Sequence, residues 1–312
     1  MINLELPKFL KAGASQSHQA AAEIFRPISR KYDLAEHEYP KELDTLASMM
    51  DGMADGGRGF SGASGGRGDD KKPKRTGVKN GGNMASLLNV IETCWGDVGL
   101  TLSLPYQGLG NAAIAAVATD EQLEAFGKTW ASMAITEPSF GSDSSAVSTT
   151  AKLDGDEYVI NGEKIFVTAG ERSDSVVVWA TLDKSKGRAA IKSFLVKKGT
   201  PGFTVERLEE KLGIRSSDTA VLRLDNVRVP KENLLGSPDI DVKKSFAGAM
   251  ATFDNTRPLV AGMAIGVSRA SLEELRRILE EAGIEIDYDA PAHTQSAAAA
   301  EYLKLCLLYT SD

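Results

Sequence analysis

The spacing of apolar residues changes from about 3.6 to about 2 near residue 132 and changes back near Phe253. This double switch constrains the fold more than any other feature, because a chain cannot satisfy both periods with one kind of element. The order it dictates is helices, then strands, then helices. Before the first switch, Ala21, Ile24, Phe25 and Ile28 mark one apolar face, and Pro40 restarts the pattern at a first-turn position ahead of Leu43, Leu46 and Met49. Helix resumes over residues 84–93 and 110–118, and Thr119 and Gln122 have the spacing of a capping box.

After the switch, "AKLDGDEYVINGEKIFVTAG" sets Asn161-Gly162 between two alternating segments, which predicts a hairpin turn there. "SVVVWATL", "IKSFLV", "GFTVERL" and "AVLRLDNVRVP" follow as strands separated by Gly, Pro, Asp and Lys. Short strands at this spacing predict a small barrel or sandwich. From Phe253 the helical period returns, with Pro258 expected at a helix start and Gly283 as its C-terminal stop. The expected class is therefore α+β: an N-terminal helical domain over residues 1–131, a central small β-barrel domain over 132–241, and an incomplete start of a C-terminal helical bundle over 242–312.

Residues 51–82 break the helical pattern. They are rich in Gly, hold only Met53, Phe60 and Val78 as larger apolar anchors, and carry a basic cluster at Lys71, Lys72, Lys74 and Arg75. Such a segment cannot bury enough surface to offset its ordering entropy, so a disordered loop is expected. Gly57, Gly59 and Gly62 satisfy G-x-G-x-x-G, but the dinucleotide fingerprint needs a strand before and a helix after, and neither is predicted.

A formal charge of −7 argues against nucleic acid as a main partner, since duplex binders carry a basic footprint. No run approaches the ~18 apolar residues needed to cross a bilayer, and a cytoplasmic chain is the expectation. Cys94 and Cys306 stand far apart and His18, His37 and His293 are scattered, which suggests neither a disulfide framework nor a metal site.

Four blocks in order, "AITEPSFGSD", "YVINGEKIFVTAG", "KLGIRSSDTAVLRLDNVRVPKENLLG" and "FDNTRPLVAGMAIGVSRASLEE", resemble the acyl-CoA dehydrogenase family. The resemblance implies FAD as cofactor and α,β-dehydrogenation of an acyl-CoA thioester, with an electron-transfer flavoprotein or similar acceptor and a homo- or hetero-oligomeric assembly. It places Ile135 and Thr136 of the Thr-Glu-Pro loop against the isoalloxazine, with Phe166, Val167 and Thr168 of the "FVT" segment beside the ring and near N5. It also places Ser142, Asp254, Asn255, Thr256 and Arg257 on the acyl-CoA ligand. The residues themselves agree, since a flavin needs a flat apolar wall and a few well-placed donors. Plainer alternatives stand beside this: Thr136 and Ser142 as turn residues, Phe166 as core, Asp254 as a helix N-cap and Arg257 as half of a surface ion pair.

The sequence departs from the family in three places. The family's general base, usually a Glu late in the C-terminal helices, is expected beyond the chain end, so no catalytic residue is assigned and this chain alone is expected to be inactive. Where relatives often carry a flavin-binding Arg, "EAGIEIDYDAPAHTQSAAAAEYL" has no Arg. That departure leaves a second possibility, a non-catalytic subunit of a heteromeric dehydrogenase that shapes the acyl-CoA pocket without redox chemistry of its own. The terminal "LCLLYTSD" reads as translated adapter sequence, which implies a gene fragment.

Overall fold

A computed structural model describes residues 6–54, 81–106, 109–240 and 247–310. Most of the loop expected at 51–82, with its glycine pattern and basic cluster, lies outside the described residues; its two ends are helical, because α3 (Glu42–Ala54) runs into it and α4 (Gly81–Gly96) begins within it. The described residues form two compact units, one from Met1–Ser29, Gly77–Thr101 and Pro258–Asp312, the other from Arg30–Thr76 and Leu102–Arg257.

In the first unit, α1 (Lys8–Ala20) continues through a π-helical stretch at Ala21–Phe25 into α2 (Arg26–Ala35). Ala21 and Phe25 are fully buried, and Gly96 of α4 sits so close to them that a Cβ there would lie 2.8 Å from the Ala21 Cβ. His18 stacks on Trp95 with centroids 4.3 Å apart, while Glu92 bonds both His18 Nδ1 (2.9 Å) and Arg269 Nη1 (2.8 Å). Arg269 lies on α8 (Ala247–Glu281), which runs straight through Pro258. The expected helix start at Pro258 is therefore corrected: proline forfeits one backbone hydrogen bond, and a helix of 35 residues tolerates that loss. Its end is as expected, with Gly283 N–H donating to the Glu280 carbonyl (3.0 Å) and Ile284 N–H to that of Leu279 (2.9 Å), the Schellman pattern. Helix α9 (Ala297–Thr310) follows.

In the second unit α5 (Val98–Leu102) ends, and α6 (Leu109–Val117) and α7 (Asp120–Phe126) follow. Both bonds of the Thr119/Gln122 capping box are present, at 3.1 and 3.3 Å. Seven strands then form one sheet: β1 (Ala131–Ala134), β2 (Thr150–Asp154), β3 (Glu157–Thr168), β4 (Ser175–Thr181), β5 (Ile191–Lys197), β6 (Phe203–Leu208) and β7 (Thr219–Pro230). The strand order is β1-β4-β2-β3-β7-β6, with β5 also on β4. A single apolar core draws Ala134, Ala151, Ile160, Val178, Phe194, Phe203 and Leu222 from all seven strands, so the sheet curls around its own inner face. Every residue of β4 is buried because its outer face is covered too, Val177 packing with Ala113 and Ile114 of α6. The α+β class expected from the double switch is what the chain adopts.

One expectation inside the sheet fails. The β2–β3 turn falls at Gly155 (φ +64°), and Asn161-Gly162 lies within β3, where the ladder to β7 slips by a residue. The glycine answers a close approach instead of a turn: a Cβ at Gly162 would lie 2.3 Å from Thr149 Oγ1. Asn161 Oδ1 accepts the Asn226 amide at 2.8 Å and pins the bulge, formed on β7 by Asp225 and Asn226, to β3. Gly162→Ala is expected to cost about 1–3 kcal/mol in urea unfolding through overpacking and the positive φ of 156°; a neutral substitution would show that neither the approach of Thr149 nor the backbone angle requires glycine.

Candidate functional site

Strand β1 delivers the chain into the loop that begins at Ile135. The loop turns tightly at once, Glu137 and Phe140 exchanging backbone hydrogen bonds of 3.0 and 3.1 Å. The Glu137 side chain, 3% exposed, faces inward and is saturated with donors. It accepts from Ser148 N (2.8 Å), Ser148 Oγ (2.5 Å), Thr149 N (2.9 Å) and Thr149 Oγ1 (2.6 Å). Its last partner is the fully buried Lys164 of β3, whose Nζ donates to Glu137 Oε1 at 2.8 Å and to the Ile135 carbonyl at 3.2 Å.

Burial alone would raise the Glu137 carboxyl, but Lys164 and the two hydroxyls outweigh it and hold the group at about 2. Burial, partly offset by Glu137, brings the Lys164 ammonium down to about 8. The pair is thus charged on both sides at neutral pH. Sequence reasoning passed over both residues, although one signal was available. Tyr158, Ile160 and Lys164 share one parity along β3, which puts a lysine on the apolar face, where an unpaired charge is not tolerated.

The structure sets side by side the two segments that carry five of the expected residues, Ile135 and Thr136 in one and Phe166, Val167 and Thr168 in the other. The Ile165 amide donates to the Thr136 carbonyl at 2.9 Å, tying the loop to the end of β3. Ile135 is buried at 8% exposure against Trp179 and Ile191. Phe166 is 62% exposed in a left-handed conformation (φ +57°), so its reading as a core residue is excluded. The neighbouring Val167 points the other way, into the core, and its carbonyl accepts from Gly170 N. The side chains of Thr136 and Thr168 are half-buried, and among the described residues no protein group bonds either hydroxyl. Ser142 is exposed further along the same loop.

The remaining candidates sit on α8. Thr256 is buried and Arg257 exposed, while the side chains of Asp254 and Asn255 lie outside the described residues. Among the described residues no group of three or more His, Cys, Asp or Glu could hold a metal, and no helix is long and apolar enough to cross a membrane. The site can therefore offer an exposed aromatic face and two unengaged hydroxyls on a rigid base, which suits a planar, polar-edged ligand.

Residues 132–227 match the family model for the acyl-CoA dehydrogenase middle domain. The chain is 36% identical over 211 residues to the short-chain-specific acyl-CoA dehydrogenase of Clostridium acetobutylicum, covering 64% of this chain and 54% of the relative. It is 34% identical over 253 residues to the CarC subunit of the caffeyl-CoA reductase-Etf complex of Acetobacterium woodii, covering 78% and 61%. The structure of butyryl-CoA dehydrogenase from Megasphaera elsdenii superposes with a TM-score of 0.75 at 26% identity, over 99% of this chain and 77% of that one. The chain thus spans about half to three-fifths of the length of these two curated relatives.

The carboxylate network makes a pH prediction. The folded Glu137 carboxyl, at about 2, lies below its ordinary value of 4.5, so its stabilisation is complete above 4.5 and is lost as pH falls towards 2. Between those limits it corresponds to roughly 3 kcal/mol. Urea unfolding of the parent is expected to weaken more steeply from pH 5 to pH 3 than that of Glu137→Gln/Lys164→Met, which leaves no buried charge unpaired; parallel curves would contradict the assignment.

Proposed function

We propose that the chain belongs to the acyl-CoA dehydrogenase family, on the match of residues 132–227 to the family's middle domain, and that it supplies the flavin-binding part of an α,β oxidation–reduction of an acyl-CoA thioester with FAD, with no residue of this chain assigned as the general base. On this reading the family's N-terminal helical, central β and C-terminal helical parts correspond to residues 1–131, 132–241 and 242–312.

The observation that carries the proposal is the grouping of Phe166, Thr136 and Thr168. An aromatic side chain held outward by a left-handed backbone leaves apolar surface exposed at a cost, and a hydroxyl on each of the two segments remains unused by the protein. These residues fit a flavin: Phe166 as a wall for the ring, Thr136 and Thr168 as hydrogen-bonding groups at its polar edge, and the Ile135 backbone beneath. When bound, FAD would supply hydride acceptance. The chain's own contribution is to hold the ring, to keep the loop from moving, and to fix donors where charge accumulates on reduction. Ser142 and Asp254, Asn255, Thr256 and Arg257 are assigned to the acyl-CoA ligand on the same family correspondence. An electron-transferring flavoprotein is the proposed redox partner, consistent with the Etf complex to which the CarC relative belongs.

The rival reading, a subunit that shapes an acyl-CoA pocket without redox chemistry, differs in one measurable respect: it takes up no flavin. Titration of the purified protein with FAD, followed by flavin fluorescence, is expected to show saturable binding. Thr168→Val should weaken that binding about tenfold, the worth of one good hydrogen bond, with little change in the melting temperature of the flavin-free form. Absence of saturable binding, or a Thr168→Val variant equal to the parent, would sink the proposal.

A further inference from the structure

We propose that Glu137 and Lys164 are positioning residues for the flavin, a buried pair that holds residues 135–136 and residues 166–168 at one separation so that both meet the same ring. The proposal rests on the flavin reading above and assigns the two residues a role within it.

The ladder between β3 and β7 lapses where that role is needed. Lys164 pairs with Leu222 and Val167 with Ala220, so Ile165 and Phe166 together face Val221 alone. Strand pairing therefore does not fix the direction of Phe166, and two left-handed non-glycine residues, Phe166 and Ala169, bracket the strand end. What spans the lapse is the side chain of Lys164, placed immediately before it, which reaches across to the carbonyl of Ile135 and the carboxylate of Glu137. Glu137 in turn grips the far end of the loop through Ser148 and Thr149. The loop is thereby held at its start, at its turn and at its return to β2.

Fold stability alone does not require this arrangement. Burying two charges is costly, and apolar residues of similar volume often serve a core as well or better. An apolar pair would fill the space but would leave the Ile135 carbonyl without its donor. Retaining a charged pair directly behind the loop therefore makes most sense as a support that locks a site to within fractions of an ångström.

Lys164→Met alone leaves a buried carboxylate without its counter-charge, and that variant can fail to fold. The informative variant is Glu137→Gln/Lys164→Met, which strands no charge: the amide oxygen keeps the donors at one of Ser148 and Thr149, the other residue's hydroxyl can turn to accept from the new NH2, and one backbone N–H loses its acceptor. It is expected to melt cooperatively within a few degrees of the parent. In its flavin-free form the Ile165 amide should exchange with solvent at least about tenfold faster, while β4 amides keep parent rates. Its affinity for FAD should fall at least about tenfold, and the absorption bands of any bound flavin should shift. A double variant with parent exchange at Ile165 and parent FAD affinity overturns the proposal. A parent that takes up no flavin, even though the Ile165 amide loosens in the double variant, overturns the flavin reading and the positioning role with it, leaving only a tether.

Discussion

The carboxylate of Glu137 and the ammonium of Lys164 meet 2.8 Å apart in an interior that excludes water almost completely. Everything around the site is arranged to make that contact affordable. Two hydroxyls and two amides complete the carboxylate's hydrogen bonds, and a backbone carbonyl takes another of the ammonium's protons. Without those donors the desolvation of the pair would exceed its attraction. With them, a loop made mostly of small residues becomes a rigid shelf.

The sheet gives the shelf its place. Because the sheet curls around a core drawn from all seven strands, the end of β1 and the end of β3 come close although they are not ladder neighbours. Helix α6 covers the outer face of β4 and β5 through Val177 and Leu195, which makes β4 a fully buried strand and holds β1 beside it in parallel register. From that base the loop at Ile135 and the strand end at Phe166 project with little freedom, and the bulge formed by Ile165 and Phe166 turns an aromatic side chain outward instead of into the core.

The broad plan was legible because period is a strong signal. Apolar spacing located the helices and the strands, the Thr119/Gln122 spacing located the capping box, and the block pattern pointed to the two segments, at residues 135–136 and 166–168, that the structure sets side by side. Four features were hidden for physical reasons. Asn161-Gly162 carries local turn chemistry, but a glycine is also needed wherever another side chain comes within bonding distance, and only the fold reveals Thr149 there. Pro258 is a helix-start signal that a long helix overrides. Lys164 was passed over because a lysine reads as solvent-facing until its partner is known, and Glu137 lies 27 positions away. The left-handed backbone at Phe166 could not be read at all, since it arises from the mismatch between β3 and β7.

The central claim is that residues from the β1 loop and the end of β3 form one flavin-binding surface. Amide hydrogen exchange of the protein with and without saturating FAD tests it most directly, because it maps contact without relying on turnover. The account predicts that FAD slows exchange at residues 133–137 and 165–169 and leaves the β6–β7 hairpin unchanged. Protection confined to other segments, or no protection at either of these two, would contradict it.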